Sequence, residues 1–385
     1  MTLPSSVFPG ISFSQGPDYT RGQTLRRQPL QGFRLPVLHR LFHKKRFVAD
    51  KEFVDKKIFL YANSIIHTLL SGLEKHYYHS KILTTEIEVP PVFILGHWRN
   101  GTTFLHNLLC RDARFSYARA YQSVFPGSFL LRFIPEMINR TYHLVPIDTR
   151  PMDNVKFSLI EPWEDEFIMA VNTGISPYIR AMFPKTLGPD AGYSYPGFHD
   201  STEVDVWKKA FLYMMKRLTI VENKPMILKS PPHTARIDIL LELFPKAKFI
   251  HIIRNPYSVF PSNIKLWNKA FSLAFLQKIQ PRDIIEIVLS TYEHLYQTYH
   301  AQRDHIPDTN FIEIKFEELE KDPVSRVREI YDHLQFPYTA KFHASLTGYL
   351  STLSHYKKNR FDLSDDYKKI IRSRWSDTFE RYGYQ

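Results

Sequence analysis

The chain has 385 residues, too many for one minimal domain and compatible with two or three domains, or with one large embellished α/β domain. Hydrophobic residues make up 43% and charged residues 23%, which excludes a disordered composition. Fifty-one Lys and Arg against thirty-nine Asp and Glu leave +12 at neutral pH, a surplus that suits nucleic acid, an anionic membrane or a small polyanionic ligand.

The charge is uneven. Residues 1–49 hold eight Lys or Arg and one acid, Asp18, so +7 of the +12 lies there. This arm is rich in Pro, Gly, Ser and Gln up to Leu35 and then enters the basic cluster Lys44, Lys45, Arg46. Its first fifteen residues lack the charged and apolar regions of a secretory signal. From Phe53 a helical period appears, with Ile58, Ala62, Ile65, Leu69 and Leu73 at spacings of three and four. The apolar stretch from Ile58 to Leu73 is interrupted by Asn63, His67 and Thr68 and falls short of a spanning helix. The expectation for residues 1–89 is therefore a basic arm and an amphipathic helical segment in peripheral contact with a membrane surface. The single cysteine, Cys110, excludes an intramolecular disulfide and a Cys-based zinc site, and points to a reducing, cytoplasmic setting.

From Pro90 short apolar strands alternate with amphipathic helices. Val92 to Leu95 reads as a buried strand and Thr102 to Leu109 as a helix; Met226 to Leu228 is a second strand. A helix carrying Ile237, Leu240, Leu241 and Phe244 follows, then a third strand from Phe249 to Ile253. Phe311 to Ile314 is a fourth, before a helix with Val327, Ile330, Tyr331 and Leu334 on one face. The pattern predicts an α/β fold with a central parallel sheet covered by helices on both faces. Ligands in such sheets sit at the carboxyl ends of the strands.

Two loops at those ends are built for anions. Gly96-His97-Trp98-Arg99-Asn100-Gly101-Thr102-Thr103 has the glycine spacing of a P-loop and opens a helix, whose free N–H groups favour negative charge. The Lys that a nucleotide triphosphatase needs after the second glycine is replaced by Thr102, and the cation is Arg99, inside the loop. In the second loop, Arg254-Asn255-Pro256-Tyr257-Ser258-Val259-Phe260-Pro261-Ser262, an Arg at a strand end precedes by eight residues a Ser expected near a helix start.

GHWRNGTT, LKSPPH and HIIRNPYSVFPS, in that order and spacing, resemble the sulfotransferases that use 3′-phosphoadenosine 5′-phosphosulfate (PAPS), in particular their bacterial-type branch. The resemblance runs from Pro90 to Pro337 and more loosely to Tyr384. It implies a P-loop-like three-layer sulfotransferase domain over residues 90–385. It further implies that Arg99, Asn100, Gly101, Thr102 and Thr103 bind the 5′-phosphosulfate, and that Arg254 and Ser262 bind the 3′-phosphate. Arg99 and Lys229 are then the cations beside the bridging oxygen that leaves in an in-line sulfuryl transfer. No metal is expected. For the base that takes the acceptor's proton the sequence offers two places. His233 lies four residues after Lys229, where other branches carry a His two residues on. Glu164 lies in Glu161-Pro162-Trp163-Glu164-Asp165-Glu166, a segment that reads equally as good helix capping. The basic run Tyr356 to Arg360 is expected either to close over the 3′-phosphate or to remain a solvated charge run.

The competing readings are a P-loop kinase or NTPase, and a basic binder of nucleic acid or membrane. The first lacks its Lys; for the second, only +5 of the charge lies outside the arm. Twenty-nine Phe, twenty-two Tyr and five Trp supply material for an apolar pocket, with Phe125 to Phe133 and Tyr193 to Phe198 as candidate linings. The expected acceptor is a small-molecule or lipid-like hydroxyl compound. Oligomeric state has no signal here.

Overall fold

Buried, β-branched and aromatic segments make the sheet. In the computed structural model, which describes residues 28–43, 47–141, 158–187, 198, 200–353 and 361–385, the strands are β1 (Val92–Leu95), β2 (Ile227–Lys229), β3 (Lys248–Ile253) and β4 (Phe311–Lys315). Residues 1–27 and 44–46 of the arm, most of the 193–198 stretch and the basic run 356–360 lie outside the described residues. All neighbours pair in parallel, in the order β2-β1-β3-β4. The register sets Ile94 opposite Lys229 and Leu95 opposite His251, so the first two strands and the third end at one edge.

Alternate residues of each strand point to opposite faces. Phe93, Leu95, Phe249 and Ile253 join the larger core, with Trp207 and Phe211 from a helix we label α6 (Ser201–Val221). Val92, Ile94, Ile250 and Ile252 join a second core on the other face. There they meet Leu105 and Leu108 of α3 (Thr102–Leu109) and Val327 and Ile330 of α10 (Pro323–His333). The strands are apolar except at their ends and at His251 and Glu313, because both faces of the sheet are covered. The expected α/β sheet is present, with each strand within a residue or two of its predicted position.

The N-terminal segment packs onto this body. Leu30, Phe33, Val37, Leu38 and Leu41, the last three on α1 (Leu35–His43), belong to the larger core, as does Leu60 of α2 (Val54–Thr84). α2 runs 31 residues, and most of what it buries is polar. Lys56 donates to the carbonyls of Leu273 and Phe275, and Glu74 pairs with Arg217 at 2.6 Å while accepting the Leu130 N–H. Burial lowers the Lys56 ammonium to about 8. No helix among the described residues is long and apolar enough to cross a membrane.

Candidate active site

The strand ends at one edge collect the cations. Lys229 is the last residue of β2, the glycine loop follows β1, and Arg254 follows β3. The loop turns sharply at two glycines. Gly96 has φ +143, and a Cβ there would sit 2.7 Å from the Ile252 carbonyl oxygen. Gly101 has φ +95 and lies so close to the Phe316 ring that a Cβ would overlap its Cδ2. Between them Arg99 holds φ 72, a left-handed conformation uncommon for a side-chain residue and often found at ligand sites. Asn100 anchors the loop by donating to the Ile252 carbonyl (3.1 Å) and the Tyr296 hydroxyl (2.8 Å). Thr102 then starts α3, whose first N–H groups face the loop.

The two anion loops meet. Arg99 Nε donates to Ser262 Oγ at 2.8 Å, across 163 residues of sequence. Arg254 donates to the Arg99 carbonyl at 3.1 Å and lies over the Phe316 ring. Ser262 is not at a helix start, as the sequence suggested. The helix α8 spans Pro256–Lys269, because the Asn255 side chain caps it and Pro256 fits its first position, so Ser262 sits in its second turn. Its hydroxyl reaches the loop from the helix side. The neighbouring Asn263 donates to the Trp98 carbonyl at 3.0 Å and so ties α8 to the same loop.

At the third strand end, Lys229 donates to Thr103 Oγ1 at 3.3 Å and pairs with Glu164. Glu164 stands at the N-cap position of α4 (Asp165–Thr173) without capping it through its side chain, and accepts from the hydroxyl of Tyr178 on α5 (Pro177–Met182). Burial, with the Glu164 charge second, pushes the Tyr178 phenol well up, so it serves as a neutral donor. Trp98 Nε1 donates to the same hydroxyl at 3.1 Å.

The three acids after Trp163 engage three successive points of the second motif. Glu164 takes Lys229; Asp165 takes Ser230 and His233; Glu166 takes Arg236. Ser230 donates to Asp165 at 2.9 Å and accepts the Glu166 N–H at 3.0 Å. His233 lies 2.7 Å from the other Asp165 oxygen, and Arg236 makes a bidentate pair with Glu166 at 2.6 and 3.1 Å. Burial alone would raise the Asp165 carboxyl, but the His233 ring and Ser230 hydroxyl hold it below its usual range. His233 is completely buried among Phe93, Trp207 and Phe211, so the structure places it in the interior and not at the strand-end opening. Of the candidate bases, only Glu164 is brought to Lys229 and the glycine loop.

A pocket adjoins that loop. His97, Trp98, Tyr178, Asn263, Trp267 and Phe271 line it. Among the described residues, neither aromatic stretch singled out in the sequence supplies this lining: Phe129 is buried in the core, Phe133 is half exposed, and only Phe198 of the second stretch is described. The pocket aromatics come from three separate stretches, 97–98, 178 and 267–271, that no local pattern connects. His97 donates from Nδ1 to the Trp98 carbonyl, and burial pushes its pKa down to about 3, leaving a neutral ring on the pocket wall. Tyr178 and Asn263 were likewise invisible in the sequence, where nothing marks them off from other helix residues.

Among the described residues no cluster of His, Cys, Asp and Glu could hold a metal ion. Residues 90–340 match the model of the Sulfotransferase family. The omega-hydroxy-beta-dihydromenaquinone-9 sulfotransferases Stf3 of Mycobacterium tuberculosis (strain CDC 1551 / Oshkosh) and Mycobacterium bovis (strain ATCC BAA-935 / AF2122/97) are each 34% identical over 323 residues. That alignment covers 83% of this chain and 82% of theirs. The fold resembles the crystal structure of sulfotransferase STF9 from Mycobacterium avium, with TM-score 0.65, 20% identity and coverage of 93% and 91% of the two chains. It also resembles STF1 from Mycobacterium tuberculosis H37Rv, with TM-score 0.62, 16% identity and coverage of 89% and 90%. A family match over most of the chain, joined to two anion loops meeting at one sheet edge, means that this chain belongs to the sulfotransferase family and is a PAPS-dependent enzyme.

Proposed function

We propose that the glycine loop from Arg99 to Thr103 holds the 5′-phosphosulfate of PAPS and that Arg254 and Ser262 hold its 3′-phosphate. The observation that carries this is the direct contact of Arg99 with Ser262 and of Arg254 with the Arg99 carbonyl, which joins the two loops into one cationic cradle. Asn100 and Gly101 shape the loop, while the Thr102 and Thr103 backbone N–H groups and hydroxyls supply donors. Lys229 and Arg99 neutralise charge on the bridging oxygen as the S–O bond to the donor phosphate breaks. A new S–O bond forms to the acceptor, whose hydroxyl proton passes to Glu164. Tyr178 and Lys229 orient that carboxylate. The products are a sulfate ester and 3′-phosphoadenosine 5′-phosphate.

The acceptor is a lipid-like alcohol. Trp98, Tyr178, Trp267 and Phe271 offer an aromatic wall beside Glu164's partners, and the 34%-identical relatives are named for a hydroxylated menaquinone derivative. Such a substrate is taken up by peripheral contact with a membrane.

The donor assignment is tested by thermal stabilisation. 3′-Phosphoadenosine 5′-phosphate should raise the melting temperature, ATP with Mg²⁺ or duplex DNA should not, and Arg254→Ala should weaken the shift. A shift with ATP or DNA alone rejects it. Labelled donor and a lipid extract test the acceptor; label confined to water-soluble products rejects a lipid-like one.

A further inference from the structure

α2 is built inside out. Its buried side carries Lys56, Ser64, His67 and Glu74, with Leu60 and Ile82 as the buried apolar side chains. Its solvent side carries Val54, Ile58, Ile65, Ile66, Leu69, Leu73, Tyr77 and Leu83, all exposed, with Leu69 at 70% and Ile58 at 63%. At about 100° per residue these eight positions fall on one face along the whole helix, roughly 40 Å at 1.5 Å per residue. The period noted in the sequence is therefore a surface feature. Two of the buried polar groups have partners outside the helix, Lys56 in two carbonyls and Glu74 in Arg217, which fixes the helix in this rotation. Turning it over to bury the stripe would break all of them.

We propose that this stripe is the surface by which the enzyme lies on an anionic lipid bilayer. An apolar stripe of this length suits the plane of a membrane interface, and no described helix is apolar enough to cross one. Charge selects the occupant. Lys57, Lys75 and Lys81 flank the stripe against one acid on the outward side, Asp55, and the adjoining residues 1–49 carry +7. Basic residues beside an inserted apolar face add attraction to anionic headgroups. α2 is also joined to the pocket: Lys56 holds the Leu273–Phe275 turn, next to the pocket residue Phe271. The inference deepens the lipid-like acceptor reading, since it names the surface from which that acceptor is drawn.

The test separates the two. Full-length protein is sedimented with vesicles of phosphatidylglycerol and phosphatidylcholine, or of phosphatidylcholine alone, at rising salt. Binding should require the anionic lipid and weaken with salt. Ile65→Glu/Leu69→Glu should reduce it at least about tenfold, since burial of one such side chain is worth about that factor. Lys57→Glu/Lys75→Glu should reduce it in low salt only. Ile65, Leu69 and Lys75 are exposed and Lys57 is half-buried over the Phe42 ring, so the melting shift with 3′-phosphoadenosine 5′-phosphate should remain and report an intact fold. Failure of the wild type to bind, or equal binding by the stripe variant, overturns the proposal. So does a dimer that the stripe variant dissociates, or vesicle binding seen only after residues 1–27 are deleted. Vesicle binding without sulfation of any lipid alcohol upholds this surface and removes the acceptor reading instead. Sulfation of a lipid alcohol in detergent without vesicle binding does the reverse.

Discussion

Four acids crowd between Glu161 and Glu166, and their surroundings separate them. Glu161 pairs with Arg111 at the surface, while Asp165 and Glu166 are sealed in the interior with His233 and Arg236. Glu164 alone combines partial access with contact to Lys229. As the proposed base it should be replaceable by Gln without loss of shape. Glu164→Gln is expected to lower kcat by about 10²-fold or more while the melting shift with 3′-phosphoadenosine 5′-phosphate is kept. His233→Gln should behave in the opposite way. It leaves the buried Asp165 carboxylate with less support and costs roughly 1–3 kcal/mol of stability, but the folded enzyme should turn over within a few-fold of wild type. A large kcat loss in folded His233→Gln, with Glu164→Gln near wild type, would reverse the assignment.

At the scale of elements, these contacts work as a clasp between the start of α4 and the segment after β2. The Glu166–Arg236 pair is completely buried, and the Arg236 guanidinium also stacks over Trp207. Removing one partner leaves an uncompensated buried charge, so Arg236→Met should cost about 3–5 kcal/mol, whereas Arg236→Met with Glu166→Met should cost clearly less than the two single changes summed. Urea unfolding of the four proteins measures this coupling; additive losses would mean the pair acts as two independent packing groups. The clasp also explains what could be read in advance. The strands were legible because each is a short apolar run covered on both faces, and the glycine loop because two left-handed turns admit little besides glycine. The clasp was not legible. Glu164, Lys229 and His233 stand out one by one in the sequence, but the pairing of Glu164 to Glu166 with Lys229 to Arg236 exists only once folding sets the two segments side by side. Ser262 was misjudged because Asn255 and Pro256 start the helix earlier than a serine cap would. The pocket depends on side chains from four stretches of sequence, and only tertiary packing selects Tyr178 and Trp267 from fifty-six aromatic residues.

For the whole molecule, a net charge of +12 coexists with an interior that must keep several rings neutral. His106 on α3 is fully buried; its Nε2–H donates to the Ile227 carbonyl at 3.3 Å, and its Nδ1 has no hydrogen-bond partner. Burial first, and the Lys229 ammonium second, lower its pKa from 6.5 to about 3. His97, on the pocket wall, is lowered to about 3 by burial. In the unfolded chain both rings titrate near their ordinary value, so between pH 6.5 and 3 the unfolded state binds protons that the native state refuses. The sign follows: stability is complete above pH 6.5 and falls as pH falls. Carboxylates contribute the same sign only nearer pH 4, because Glu313, held at about 2 against the pull of burial by His251, Tyr299 and Tyr382, differs from its unfolded value below about 4.5. From pH 6.5 to 5 each such buried ring should cost about 2 kcal/mol, while Glu74, raised by burial, contributes with the opposite sign. His106→Gln keeps an N–H donor for Ile227 and removes the titration, so its urea midpoint should change less over this window than that of the wild type. Parallel slopes would show that His106 is protonated in the native protein, and the charge beside Lys229 at the donor site would then rise as pH falls.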